Sequence, residues 1–279
     1  MFKSKLKFLT IGASVAMMAA TSAPVAAQTL SVAVTRSFVQ ALGQINSQFA
    51  NYYFENGTLD YNLSYNWGPS DQAFEASIIA GGSGYDLFIS QSSAILNELV
   101  SKYPKLVVGS PFPIAIGELE LYSGLFKPEN ISNGLPSNFY TQNIVLPDPD
   151  TDAYGNAAWE VLSRQPGIWD AVVNGTLKAA PSVDETFNAI EYGPYSYGFV
   201  AKSQICTYSP AMGDVYEAGT YHHQYPGQVV VSAIKLVNSK RTAAQETELN
   251  ELVAFLTGSG PTQRGVETIQ QFCYRIPGQ

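Results

Sequence analysis

Apolar and polar positions along this chain switch between two periods, and the switches mark its elements. Leu30 to Val34 is short, alternating and bounded by Thr35-Arg36-Ser37, which predicts a strand. Phe38, Ala41, Leu42, Ile45, Phe49 and Tyr52 then recur at helical spacing, predicting one apolar helix face. Ser37 stands just before it, where a hydroxyl caps free backbone N–H groups. Asn56-Gly57 closes this unit and Tyr61 to Tyr65 reads as a second strand. The turn Trp67-Gly68-Pro69-Ser70-Asp71 leads to a short helix, Ala73 to Ala80, ended by Gly81-Gly82. Asp86 to Ser90 is a buried strand and Ser93 to Tyr103 another helix. This β-α-β-α-β-α order predicts an α/β fold, a parallel sheet covered by helices. Its strand-to-helix turns then lie on one sheet edge, where ligands bind.

Val107 to Tyr122 holds two strand-like runs interrupted by Pro111 and Pro113, a crossing point to a second lobe. Ile144 to Leu146 begins a further β-α unit, with its turn over Asp148-Pro149-Asp150-Thr151-Asp152-Ala153-Tyr154-Gly155 and its helix from about Asn156 to Ser163. Val183 opens a helix to Tyr192, and Tyr197 to Ala201 is an apolar strand. Val229 to Leu236 is a strand that returns toward the first lobe, followed by helices over Glu246 to Thr257 and Pro261 to Phe272.

The N-terminus changes the picture of where the protein works. Lys3, Lys5 and Lys7 precede an apolar run from Phe8 to Ala20, and small residues follow up to Ala27. That order predicts a secretory signal over residues 1–27 and a periplasmic location. Removing those lysines takes the 15 basic residues to 12 against 23 acidic ones, a formal charge of −11. So acidic a surface argues against nucleic acid as a partner. In an exported chain, Cys206 and Cys273 are expected to form one disulfide.

The motifs of common enzymes are absent: no Gly-x-Ser-x-Gly elbow, no His-Glu-x-x-His helix, no phosphate loop. The two histidines, His222 and His223, are adjacent, which supplies a Ser–His–Asp arrangement poorly. Asp148, Asp150 and Asp152 alternate without the glycine and distal glutamate of a calcium loop. No catalysis, metal or cofactor is expected.

Taken in order, Ser37-Phe38-Val39-Gln40-Ala41-Leu42, Gly68-Pro69-Ser70, Asp86-Leu87-Phe88-Ile89-Ser90, Asp148-Pro149-Asp150-Thr151 with Gly155, and Gly198-Phe199-Val200 give the chain a family likeness. It resembles the molybdate-binding proteins of bacterial ABC importers, with the type II periplasmic binding fold. The resemblance implies two lobes, residues 28–113 with 228–279 and residues 114–227, and a ligand cleft between them. It implies a small anion as ligand, a molybdate, tungstate or sulfate type of oxyanion, and an ABC-importer permease in the membrane as partner. Helix N-termini supply the aligned donors such an anion needs.

The resemblance carries its ligand positions onto Ser37, the backbone of Tyr154 beside Gly155, and the backbone of Val183. Its second serine falls on Ser70 or, one residue on, on Asp71, whose charge would repel an anion. Its pocket tyrosine falls on Ala201, which has no hydroxyl. Arg36 reads as a fork for a ligand carboxylate or phosphate, or as a surface arginine. Lys202 reads as a charge replacing the missing hydroxyl, or as a solvated lysine. These departures keep open a larger carboxylated or phosphorylated metabolite, bound by a surface sensor, adhesin or colonisation factor. A Cys206–Cys273 bond would tie the lobes near their hinge.

Overall fold

Seven residues, Gln28–Val34, form β1 at the heart of one half of the protein, and Leu30, Val32, Ala33 and Val34 are buried because helices cover both faces. The computed structural model describes residues 28–57, 61–68, 70–81, 84–209, 214–217 and 221–279. The predicted secretory signal lies outside the described residues. β2 (Tyr61–Asn66) and β3 (Leu87–Ser90) pair with β1 in parallel, as the alternation of elements predicts. α1 (Val39–Glu55), α2 (Asp71–Ile79) and α3 (Ser93–Lys102) connect and follow them.

In the middle of the sheet the parallel pairing of the two groups gives way to antiparallel pairing. β4 (Val107–Ser123) is one continuous strand of 17 residues, and β10 (Tyr221–Leu236) runs antiparallel beside it for 16. The register slips between Val231 and Ser232, opposite Ala115 and Pro113, and again between Tyr225 and Gln228. Proline has no N–H for the ladder, so strands tolerate it at such bulges. Pro113 and Pro226 are accommodated there, which is why an apparent break in sequence is a through-going strand.

Beyond this pair, β5 (Ile144–Pro147), β6 (Leu177–Ala180) and β7 (Tyr197–Ala201) form a second parallel group with α4 (Ala153–Leu162), α5 (Ile168–Val173), α6 (Val183–Glu191) and α7 (Lys202–Ile205). The whole order is β2-β1-β3-β10-β4-β7-β5-β6. β8 (Cys206–Ser209) and β9 (Asp214–Glu217) make a separate ribbon. α8 (Ala243–Thr257) and α9 (Arg264–Gln271) return to cover β1 and α1.

The core is divided accordingly. Phe49, Leu30, Leu252 and Phe255 belong to a cluster on one side of the first parallel group, and Phe74, Phe88 and Leu99 to one on its other side. Phe199, Leu146 and Leu162 centre the second group's main cluster. Only β4 and β10 contribute to the cores of both groups among the described strands.

Cys206 and Cys273 form a disulfide, with their Cα atoms 6.0 Å apart. Cys273 is past α9 rather than in it: its φ of 57° ends the helix, and its N–H reaches Gln270 O at 2.9 Å. The bond fastens the end of α7 to the C-terminal segment. No helix among the described residues is long and apolar enough to cross a membrane.

Candidate ligand cleft

Four helices begin around the gap between the two parallel groups, and each start is closed by a short polar side chain. Ser70 Oγ accepts from Ala73 N at α2, and Ser92 Oγ from Ile95 N at α3. Ser182 Oγ accepts from Glu185 N at α6, and Asp152 Oδ1 from Tyr154 N at α4. Such caps satisfy N–H groups that the first helical turn leaves free. Ser37 is not one of them. It lies inside the 3-10 turn Arg36–Phe38, and its hydroxyl donates to Gln91 Oε1 at 2.9 Å.

Arg36 projects from that turn into the gap and lines two adjoining cavities. One, of about 120 Å3, is shared with Ser37, Trp67, Asp184 and Ser203. The other, of about 20 Å3, holds room for little more than one water and is lined by Ser70, Asp71, Gln91, Asp152 and Ser182. An open cleft of about 600 Å3 continues from there past Ser92, Asn156 and Gln228. Arg36 Nε lies 3.9 Å from Asp184 Oδ2 on α6, an ion pair between the two groups of strands and helices. That Nε is buried and has no hydrogen-bond partner among the described residues. Gln204 Nε2 donates to Asp184 Oδ1 at 2.8 Å and holds the carboxylate in place.

Two buried aspartates shape the chemistry. Asp152 is 8% exposed, and its Oδ2 accepts from Val183 N at 3.0 Å while Oδ1 serves Tyr154. Burial pushes its pKa up to about 6, against the pull of the Val183, Tyr154 and Gly155 N–H groups, and Asp71 adds to the rise. Asp71 is 6% exposed; its Oδ2 accepts from Ser90 Oγ at 2.6 Å and Gln91 N at 3.0 Å. Burial raises its pKa also, opposed by those two groups and the Thr35 hydroxyl.

The residues singled out from the sequence are thus distributed unevenly. Arg36, Ser37 and Ser70 meet at the two cavities. The N–H groups of Tyr154 and Val183 both donate to the carboxylate of Asp152. Gly155 is there for packing: a Cβ on it would stand 2.4 Å from Pro147 O. The Tyr154 side chain is fully buried and lines none of these three spaces. Lys202 stands apart from Arg36, with its Nζ 3.3 Å from Glu118 Oε2 and 3.9 Å from Glu120 Oε1 on β4. Asp152 was missed because α4 begins three residues before the predicted Asn156; an aspartate followed at once by a helix is its signal. Gln91 and Ser182 carry no sequence signal beyond the turns they occupy.

Comparison with known proteins agrees with this architecture. The family described as bacterial extracellular solute-binding protein matches residues 30–260. The molybdate-binding protein ModA of Azotobacter vinelandii is 28% identical over 200 residues, covering 71% of this chain and 72% of ModA. Among solved structures, the periplasmic molybdate-binding protein of Azotobacter vinelandii superposes with a TM-score of 0.68 at 23% identity, over 89% of this chain and 99% of that one. PEB3 of Campylobacter jejuni with bound L-phospholactate gives 0.58 at 13% identity, over 88% and 99%. The fold is that of the type II periplasmic binding proteins.

Proposed function

Because the chain belongs to the family of bacterial extracellular solute-binding proteins, we propose that it is an exported receptor that captures a small oxyanion and passes it to an ABC-importer permease. The observation that carries this reading is Arg36: a guanidinium in the gap between the two halves, ringed by helix starts, with a buried Nε that has no hydrogen-bond partner among the described residues. A planar guanidinium fork is suited to pairing with an oxyanion. The curated relative, named for molybdate, supports the ligand class.

In this reading residues 28–113 and 228–279 are one lobe and residues 114–227 the other. β4 and β10 run through both and form the hinge. Closure brings Arg36 on the first lobe to α6 on the second, where Asp184 is its partner at 3.9 Å. The anion enters by taking that partner's place. Residues 1–27 are the export signal. Import is favoured over a sensor or adhesin role, since the family is one of extracellular solute-binding proteins and the curated relative is named for binding molybdate.

The test is a thermal-shift screen of ligand-stripped protein against molybdate, tungstate, sulfate, phosphate, citrate and phosphorylated three-carbon acids. A ligand that binds only the folded state stabilises it by RT ln(1 + [L]/Kd), so 100 Kd of ligand gives about 2.7 kcal/mol. An oxyanion is expected to raise the melting point, and Arg36→Ala to abolish the rise. No shift with any anion overturns the reading.

A further inference from the structure

Asp71 and Asp152 belong to opposite halves of the molecule, yet they line one small cavity with Arg36 and, together, the open cleft of about 600 Å3 that continues from it and gives a ligand room. A site built only to hold a bare dianion has no use for either. Both are nine-tenths buried. Each carboxylate occupies donors that an anionic ligand would otherwise claim: Asp152 takes the N–H groups of Tyr154 and Val183, and Asp71 takes Gln91 N–H and the Ser90 hydroxyl. Arg36 is the only cation among the described residues that line this cavity, and it is already paired with Asp184. Asp150 and Glu160, on the open cleft beside it, add further negative charge. A proton-free dianion entering here meets acceptors with acceptors. A carboxylate offers about four lone-pair directions, so Asp152, which already draws on the Val183, Tyr154 and Gly155 N–H groups, has one left to accept an O–H from a ligand.

We infer that Asp71 and Asp152 set the ligand class of the cleft: an oxyanion that carries its own proton, of the hydrogenphosphate type, is accepted, and proton-free dianions such as sulfate and molybdate are refused. This rests on the reading that the cleft binds a small anion. Arg36 meets the ligand's charged oxygens and Asp152 receives its O–H group, while Asp71, whose carboxylate is held by Ser90, Gln91, Thr35 and Ser92, adds negative charge beside them. The two are specificity-determining residues, and their effect is expected in the ratio of affinities, beyond any change in overall stability.

The experiment titrates ligand-stripped protein calorimetrically at pH 7 with phosphate, arsenate, sulfate and molybdate. It compares wild type with Asp71→Asn and Asp152→Asn, each checked for a cooperative melt. Wild type is expected to bind phosphate and arsenate at least tenfold more tightly than sulfate or molybdate. Each asparagine replaces an acceptor oxygen by an N–H donor, so each variant is expected to move the ratio tenfold or more toward the proton-free anions. Wild type binding sulfate or molybdate as tightly as phosphate overturns the role of the two aspartates and leaves the anion receptor standing. An unchanged ratio in both variants does the same. Binding of none of the four anions by any of the three proteins overturns both.

Discussion

Asp152 is asked to do two things that oppose each other. It closes the start of α4 and gathers the Val183 N–H, which favours its charged form, while burial disfavours that form and prevails. Its folded pKa of about 6 lies above the ordinary 3.8, so the native state holds this proton more tightly than the unfolded chain does. Stability from this group is therefore full below about pH 4 and falls as pH rises toward 6, on the order of 2–3 kcal/mol. Urea unfolding between pH 4 and 6 is expected to show that slope, and Asp152→Asn to flatten it. Glu248, fully buried where α8 meets β2, accepts from Asn62 N at 3.2 Å, and its other oxygen has no partner among the described residues. Burial raises its pKa from 4.5 to about 8, with the same sign: stability falls across that interval. Glu248→Gln is expected to raise the melting point at pH 8 by a few degrees, with little change at pH 4. Neither shift is legible in the sequence, because a glutamate on an amphipathic helix normally faces water.

Elements follow their local signals closely where the signal is a period or a cap. The apolar face read from Ala41, Leu42, Ile45 and Phe49 is buried on α1 as expected. Thr242 begins α8 with a capping box, its hydroxyl accepting from Gln245 N while the Gln245 side chain accepts from Thr242 N. Thr242→Ala is expected to cost about 1 kcal/mol in denaturant unfolding and to leave anion affinity unchanged, since it lies outside the cleft. Gly155 shows what an element's own pattern conceals. It sits inside α4, where alanine would favour the helix, but a Cβ there meets the backbone oxygens of Pro147 and Asp148 at 2.4 and 2.6 Å. Gly155→Ala is therefore expected to destabilise by about 1–3 kcal/mol, measured by the same unfolding. β6 and α5 escaped the reading of the pattern. β6 is an edge strand with only partial burial, so no alternation marks it. α5 has six residues, too few to establish a period.

On the scale of the molecule, the long antiparallel pair and the disulfide determine how the halves relate. β4 and β10 share one ladder from Val107 and Leu236 to Ser123 and Tyr221, and Arg275 Nε reaches Glu118 Oε1 on β4 at 2.9 Å. Cys206 and Cys273 add a covalent tie across 67 residues of sequence. Thiol titration of the native protein is expected to find neither cysteine free. Cys206→Ser with Cys273→Ser is expected to lower unfolding stability by about 2–4 kcal/mol. If the tie limits opening without preventing it, the double variant keeps its anion affinity within a few-fold while releasing ligand faster.

What the sequence by itself determined is local: the strand and helix periods, the turn that ends in the Ser70 cap, the cysteine pair, and the run of segments that resembles the oxyanion receptors. Those depend on neighbours within a few residues, so they are written in order along the chain. The tertiary structure alone decided that Pro113 sits in an unbroken strand, that Lys202 turns to Glu118, and that the Tyr154 and Val183 N–H groups meet a carboxylate. Asp71 and Asp152 are 81 positions apart, and only the packing of the two strand groups brings them to one cavity. The cost of burying charge depends on what surrounds it from every side, and no single segment of sequence contains that surrounding.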